Sequence, residues 1–333
     1  MTNRRSTIRD VAKMADVSIS VVSYVLNETP GKSISWETAQ RVRKAAAALR
    51  YTPNRIAQSM RLGYSNMIAF VSFWQMTEFV TQQIMSGVYE VAREAGYQLV
   101  LICPRQPDDT ADYIDPYLRN QIDGMLLLEP FSYSLFDEAP HREAILRNRI
   151  PAVTINGLGA SSIANIPISV ENTTYAAVNY FVRKGYRTIE YVTPNETEAN
   201  FHFTISREIG YRQAIRESGL SERMYHAHEL PARLAARQDG ETLALVVSKS
   251  NYIGETLSAI RAADLRIPED VAVVVCSYEP NYLMNQVPSI SYVRVPTYEI
   301  GQESCRHLLS LIGGNTHQTG FIPEPEVCEM ESG

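Results

Sequence analysis

The first fifty residues contain three short stretches in which apolar residues recur at helical spacing. The first stretch begins after Thr7 and ends at Asp16, and the second begins after Ser18. The third begins after Ser35 and is stopped by Pro53. Ser and Thr are favoured N-cap residues, and Asp tolerates a left-handed turn conformation. The pattern therefore predicts three short helices with a tight first turn, which is typical of a helix-turn-helix unit.

The second predicted helix, SISVVSYVLN at residues 18–27, has an unusual outer face. The apolar side chains that would face a core at helical spacing are Val22, Val25 and Leu26. The other side would then carry four uncharged residues, namely Ile19, Ser20, Ser23 and Tyr24. A solvated helix face normally carries charge, so this face is expected to contact another molecule. A generic small helical bundle is the alternative.

From residue 67 onward, the pattern changes to buried strands that alternate with amphipathic helices. The strands include MIAFVSF, YQLVLIC, IDGMLLLE and IPAVTIN, and a second series that begins with TIEYVTP repeats the scheme. Such alternation is typical of parallel sheets covered by helices. We therefore predict an all-α head and an α/β body with two lobes, in which a ligand would lie beyond the carboxyl ends of the strands.

Charge divides the chain at the same place as the hydrophobic pattern. The 333 residues carry a net charge of −6, but residues 1–64 hold 11 Lys+Arg and 4 Asp+Glu, a net of +7. The rest of the chain therefore carries −13. A basic head on an acidic body indicates that only the head meets a polyanion.

Several classes of protein are disfavoured by what the sequence lacks. The four cysteines form no CxxC pair, which favours reduced thiols over disulfides or a metal site. The N-terminus has no apolar signal segment, and no apolar run reaches about 18 residues, so we expect a cytoplasmic protein. The sequence contains no phosphate-binding glycine loop, no GxSxG motif and no HExxH motif. We therefore predict neither an enzyme nor a bound cofactor. His226 and His228 could bind a metal, but a solvated loop is the favoured interpretation.

The head closely resembles that of a known family. The stretches TIRDVAKMADVSISVVSYVLN and SWETAQRVRKAAAALRYTPNRIAQSM are similar to the LacI/GalR (lac-repressor) family of transcription regulators. The chain departs from the family pattern in a slightly longer loop at residues 28–33 and in Asp16, where Gly is usual. Segments of the body such as IDGMLLL, REIGYRQAI and RIPEDVAVVV resemble the family's periplasmic-binding-protein-like domain. The resemblance implies a homodimeric regulator, expected to be a repressor, that binds a palindromic DNA operator.

By this resemblance, SISVVSYVLN is the recognition helix and lies in the DNA major groove. Base contacts are implied at Ile19, Ser20, Val21 and Tyr24. Contacts to the DNA backbone are implied at Thr7, Ser18, Ser23, Asn27, Ser35, Thr38 and Asn54. Tyr24 replaces the family's usual Arg and cannot make its bidentate contact with guanine. A hinge helix is implied at residues 53–61, with Arg55, Ala57 and Met60 at the minor groove, and a plain linker is the alternative.

The resemblance also divides the chain into regions. Residues 1–52 are expected to form the helix-turn-helix domain, and residues 53–66 the hinge helix and linker. Residues 67–333 are expected to form the effector-binding and dimerisation domain. Its lobe 1 would comprise about 67–166 and 294–325, and its lobe 2 about 167–293 and 326–333.

An effector pocket is implied in the cleft between the lobes. Its expected residues are Trp74, Phe79, Asn156, Arg207, Ser248, Lys249 and Ser277. Arg207 matches the family's ligand-binding Arg, whose planar donor fork suits a carboxylate, a phosphate or paired hydroxyls, and a surface salt bridge is the alternative. Because Lys249 and Ser277 replace carboxylates of the family pattern, we predict an anionic small molecule over a neutral sugar. The alternatives are an effector with an aromatic ring, a degenerate pocket without an effector, a regulator switched by a partner protein, and a solute-binding protein.

Overall fold

The structure is a computed structural model that divides into two compact units, Met1–Ser65 and Asn66–Gly333. The described residues are 6–27, 31–52, 64–73, 76, 78–106, 109–129, 138–156, 163–194, 202–237, 240–277, 279–315, 320 and 322–333. Five residues with a predicted role lie outside the described residues, namely Asn54, Arg55, Ala57, Met60 and Trp74. Their roles stay predictions.

The described part of the first unit is entirely helical. It contains α1 (Ile8–Ala15), α2 (Ile19–Leu26) and α3 (Trp36–Ala48). The helices bury a small core made of Val11, Ala12, Ala15, Val22, Val25, Val42, Ala45 and Ala46. Asp16 joins α1 to α2 with a φ of 51°, in the left-handed region, as its position predicted. The helix-turn-helix head is thereby confirmed.

Each helix of the head begins at a side-chain cap that the sequence predicted. Thr7 and Asp10 form a capping box, in which each side chain accepts a hydrogen bond from the backbone N–H of the other residue. Ser18 caps α2 by accepting from a backbone N–H three residues on, at 3.3 Å. Ser35 caps α3 in the same way, at 3.2 Å. Each cap stabilises its helix by about 1 kcal/mol.

The first sheet of the second unit has five parallel strands in the order β2-β1-β3-β4-β5. Its strands are β1 (Met67–Ser72), β2 (Gln98–Ile102), β3 (Gly124–Leu128), β4 (Ala152–Ile155) and β5 (Ala164–Ile166). Its intervening helices are α4 (Phe79–Glu94), α5 (Ala111–Leu118) and α6 (Glu138–Arg147). This sheet is the core of lobe 1.

The second sheet has the order β11-β10-β9-β8-β6-β7, and β11 is its antiparallel edge strand. Its strands are β6 (Thr188–Thr193), β7 (Met224–His226), β8 (Leu243–Val247), β9 (Val271–Val275), β10 (Ser291–Arg294) and β11 (Glu326–Cys328). The helices of this lobe are α7 (Glu171–Arg183), α8 (His202–Glu217), α9 (Leu230–Ala235), α10 (Ile253–Ala262) and α11 (Pro280–Leu283). Helix α12 (Thr297–Ile312) returns to lobe 1, where it packs on α4, β3 and β4.

The central strands are apolar along their whole length because helices cover both faces of each sheet. All five residues of β8 and all five of β9 are buried. The predicted combination of an all-α head with a two-lobed, parallel α/β body is confirmed. Within the described ranges, every helix is too short or too polar to cross a membrane.

Candidate functional site

Helix α2 presents part of the face that was predicted to read DNA bases. Ile19 is 44% exposed, and the Ser20 side chain is exposed beside it. Val21 and Tyr24 are half-buried at the flanks of this face. The exposed surface of α2 is therefore short, uncharged and partly apolar, which suits contact with base edges and thymine methyl groups.

Ser23 does not belong to that face, so the prediction that it is exposed was wrong. Its side chain is only 7% exposed, and its Oγ accepts a hydrogen bond from Asn27 Nδ2 at 3.0 Å. Ser23 lies between Val22 and Leu26 at the border of the apolar stripe. The packing of α2 against α1 and α3 covers this border.

Tyr24 has a charged neighbour that its position in the sequence did not indicate. Lys32 Nζ lies 5.3 Å from the centre of the Tyr24 ring. A cation at this distance over an aromatic face is attracted by the ring quadrupole, by about 0.5–1 kcal/mol at an exposed site. Lys32 therefore favours one orientation of the Tyr24 ring and adds positive charge beside a predicted base-reading position.

The other predicted backbone contacts lie mainly at helix starts. Thr7, Ser18 and Ser35 are exposed N-caps, while Asn27 and Thr38 are half-buried. Backbone N–H groups at a helix start are a favourable partner for phosphate, so this arrangement is consistent with the predicted role.

In lobe 2, the structure brings several predicted effector residues together at the carboxyl ends of β8 and β9. Ser248 and Lys249 follow β8, and Ser277 follows β9. The Ser277 Oγ accepts a hydrogen bond from the backbone N–H of Ser250 at 2.8 Å, which ties the two loops together. Lys249 and Ser277 are half-buried, whereas Ser248 is completely buried.

Arg207 reaches the same place from helix α8. It is only 8% exposed, and its Nη2 donates to the carbonyl of Cys276 at 3.3 Å. Among the described residues, no carboxylate forms an ion pair with it. The alternative of a surface salt bridge is therefore wrong, because the guanidinium is buried.

The position of Arg207 depends on a close approach between α7 and α8. A Cβ atom built on Gly210 would lie 2.0 Å from the carbonyl oxygen of Glu171, so only glycine allows this packing. The Thr174 Oγ1 donates to the carbonyl of Arg207 at 2.6 Å across the same contact. Together these contacts hold Arg207 against the carboxyl end of the sheet.

Two further groups of this site carry no charge at neutral pH. Burial raises the pKa of the Cys276 thiol to about 12, against the opposing effect of Arg207. Burial also raises the pKa of Tyr191, whose hydroxyl lies near Arg207 and Ser248. Tyr191 was not identified from the sequence because it lies inside strand β6, where an aromatic residue indicates core.

Lobe 1 places its predicted residues at the carboxyl ends of its own strands. Asn156 follows β4 with a φ of 65° and is buried, and Phe79 begins α4. Glu129 follows β3, is only 6% exposed, and donates its N–H to the Ile155 carbonyl at 3.1 Å. Glu129 was not among the predicted site residues because it is the last residue of the predicted strand IDGMLLLE.

His228 is exposed in a short turn, as the interpretation of a solvated loop predicted, whereas His226 is half-buried at a strand end. His226 ends strand β7, and His228 lies in a 3-10 turn at Ala227–Glu229. Their rings stack with centroids 5.5 Å apart, and His226 Nδ1 lies 2.7 Å from the Pro194 carbonyl. Within the described part of the chain, no group of three His, Cys, Asp or Glu side chains could hold a metal ion.

Known proteins match both units of the chain. Residues 7–54 match the bacterial regulatory proteins of the lacI family, and residues 178–332 match the periplasmic binding protein-like domain. The chain is 26% identical to the HTH-type transcriptional repressor PurR of Vibrio atlanticus, with 98% of each chain covered. It is 29% identical to the HTH-type transcriptional repressor CytR of Escherichia coli, with 93% of this chain and 90% of the relative covered.

The fold is also similar to solved structures. The crystal structure of the lac repressor dimer bound to operator and the anti-inducer ONPF matches with a TM-score of 0.77 and 20% identity, over 99% of both chains. Head and body thus define a helix-turn-helix DNA-binding protein with a periplasmic-binding-protein-like domain. The chain belongs to the LacI/GalR family and is a DNA-binding transcription regulator.

Proposed function

We propose that this regulator is a repressor that binds a two-fold-symmetric operator as a homodimer. The basic head and the exposed Ile19 and Ser20 of α2 support a major-groove contact. One short helix reads only a few base pairs, and a second copy doubles the site. PurR and CytR, which are similar to this chain over nearly its whole length, are repressors.

Exposed apolar residues on both lobes support the homodimer. In lobe 1, Leu101 on the edge strand β2 is 46% exposed, and Leu118 at the end of α5 is 55% exposed. In lobe 2, Met284 and Val287 follow α11 and are 50% and 90% exposed. Large apolar side chains at a surface favour association with another copy.

We further propose that a small-molecule effector binds at the carboxyl ends of the strands in residues 67–333 and changes operator affinity. The observation that carries this proposal is Arg207, a buried guanidinium that lacks an acidic partner among the described residues. A buried charge without compensation is costly, so a ligand that supplies acceptors would stabilise this position. Residues 53–66 would transmit the effect to residues 1–52.

The similarity to PurR and CytR also bears on catalytic activity and on cellular location. The relatives are transcription regulators, so we propose that the chain has no catalytic activity and acts where DNA is, in the cytoplasm. A regulator switched by a partner protein is the second candidate, and a ligand test separates the two.

The test begins with solutes that raise the melting temperature of the full chain, followed by operator affinity with and without each of them. We expect a ligand to change operator affinity by a coupling of about 1–3 kcal/mol. Arg207→Ala should abolish this response, whereas Arg216→Ala, at an exposed position of the same helix, should keep it. A ligand that binds without changing operator affinity would contradict the proposed effector role.

A further inference from the structure

Five buried polar atoms of lobe 2 make no hydrogen bond of regular geometry to any of the residues that the structure describes. Three of these five lie close together, namely Arg207 Nε, Tyr191 Oη and Ser248 Oγ. Arg207 is 8% exposed, and both Tyr191 and Ser248 are 0% exposed. An unsatisfied buried polar group destabilises a protein by about 1–3 kcal/mol, and a charged one by more. Three such atoms in one place therefore require a physical explanation.

The three residues come from neighbouring elements and meet on one side of the second sheet. Tyr191 lies on β6, and Ser248 follows the adjacent strand β8, where its N–H bonds to the Val192 carbonyl at 3.0 Å. Arg207 lies on α8, which packs on this side of β6. The Ser248 hydroxyl lies close enough to Tyr191 to lower its pKa, against the larger effect of burial. The arrangement of the two hydroxyl groups nevertheless does not meet the geometry of a regular hydrogen bond.

Among the described residues, no carboxylate forms an ion pair with Arg207. Its single bond, from Nη2 to the Cys276 carbonyl, is long at 3.3 Å. Burial raises the pKa of both the Cys276 thiol and the Tyr191 hydroxyl, so both stay neutral and Tyr191 can donate its O–H. Glu208, on the same helix, is bonded to Arg212 at 3.1 Å. The charge of Glu208 also raises the pKa of Tyr191, but its carboxylate is paired with Arg212, so Arg207 is, among the described residues, the unpaired charge beside the two neutral hydroxyl groups.

We propose that Tyr191 and Ser248 complete, with Arg207, a donor site for an oxyanion on the effector, either a carboxylate or a phosphate. The guanidinium would exchange its weak bond to the Cys276 carbonyl for charge-assisted bonds to the ligand. The Tyr191 and Ser248 hydroxyl groups would donate to the same oxyanion. A neutral hydroxyl group on a ligand could not neutralise Arg207, so the site would prefer the oxyanion. This inference rests on the proposed effector function and adds the ligand class and Tyr191 as a specificity residue.

The neighbouring Tyr211 provides a matched control. Its ring stacks on Tyr191 with centroids 5.2 Å apart, and it is equally buried. In contrast to Tyr191, its hydroxyl lies 3.0 Å and 2.8 Å from the carbonyl oxygens of Ile189 and Arg223, to one of which it donates, and it accepts a bond from the Arg223 N–H at 3.1 Å. Removing the two hydroxyls one at a time therefore compares a group without a regular hydrogen bond with a fully bonded group in the same core.

The experiment measures thermal unfolding of the full chain in inorganic phosphate, acetate or chloride at equal ionic strength. We expect the melting temperature of the wild-type protein to rise in millimolar phosphate or acetate but not in chloride. A comparison of phosphate with acetate then shows whether the site prefers a phosphate or a carboxylate. Tyr191→Phe should raise the melting temperature in chloride and weaken oxyanion affinity about tenfold. Tyr211→Phe should lower the melting temperature and leave oxyanion affinity unchanged.

Two results would overturn the inference. One is an oxyanion affinity that is equal in Tyr191→Phe and wild type, and the other is a wild-type protein that responds to phosphate and acetate no more than to chloride. Operator affinity of the wild-type protein, measured in the same buffers, reports on the proposed function separately. Operator binding that responds to a neutral solute would support the proposed function while contradicting the oxyanion site.

Discussion

Replacing Gly210 with alanine tests whether the close packing of α7 and α8 positions Arg207. The added Cβ would lie 2.0 Å from the Glu171 carbonyl oxygen and 2.6 Å from Thr174 Oγ1. The first contact is with backbone, so relief requires the two helices to separate. Separation would also weaken the bond from Thr174 to the Arg207 carbonyl, which is 2.6 Å long.

The expected magnitude follows from opposing effects. Alanine in a helix interior is favoured over glycine by about 1 kcal/mol. Overpacking costs about 1–3 kcal/mol, and the weakened hydrogen bond about 1 kcal/mol more. We therefore expect Gly210→Ala to lower the free energy of unfolding by about 1–3 kcal/mol, and the melting temperature by about 2–12 °C.

Gly254→Ala in α10 is the matched control, since a Cβ there would meet only Tyr282 Oη, at 3.8 Å. It should keep or raise the melting temperature, by about 2–4 °C at most. Circular dichroism of the full chain during heating measures both variants. If Gly210→Ala melts at or above the wild-type temperature, the close contact between α7 and α8 is not the constraint that we infer.

Four other predictions concern the recognition helix, a buried ion pair and the cysteines. Tyr24→Arg should shift the operator preference towards guanine at one symmetric pair of positions, by about 1–3 kcal/mol, and an unchanged preference in binding assays would refute the base-reading role. Glu190 is 0% exposed and accepts bonds from Arg233 at 2.6 Å and 2.8 Å. Glu190→Ala should therefore lower the free energy of unfolding in denaturant by about 3–5 kcal/mol, and Glu190→Gln by less; equal losses would contradict the ion pair. The pKa of Cys276 lies above its ordinary value of 9.0, so the unfolded thiol ionises first and stability should fall as pH rises beyond that value. In the folded protein a thiol reagent should label the exposed Cys103 well before Cys276, and equal rates would contradict the burial.

The elements with strong local signals were predictable from the sequence. The caps Thr7, Ser18 and Ser35 and the turn at Asp16 follow from side-chain chemistry that acts within a few residues. The apolar runs of β8 and β9 could only be buried strands or helices, and their short length indicated strands. In contrast, α5 was not predicted, because Pro116 lies inside it and tertiary packing overrides its weak local preference.

The chemistry of the candidate site was less predictable than its location. Arg207 was identified by its matching position, but whether its guanidinium is buried or paired depends on α7, α8 and β9 meeting in space. Ser23 was misplaced because helical periodicity does not show how far neighbouring helices cover the border of an apolar stripe. Tyr191 gave no signal, since a buried aromatic in a strand has the same pattern whether or not its hydroxyl is bonded.

The most direct test of the central claim is the selection of bound DNA from a random pool by the full chain. We expect enrichment of an inverted repeat whose two half-sites are read by the recognition helices of a dimer. Binding to the selected site should also fall steeply with salt, because the basic head contacts phosphates. A pool without an enriched sequence, or a single unrepeated site bound by a monomer, would contradict the claim that this chain is a dimeric, sequence-specific regulator.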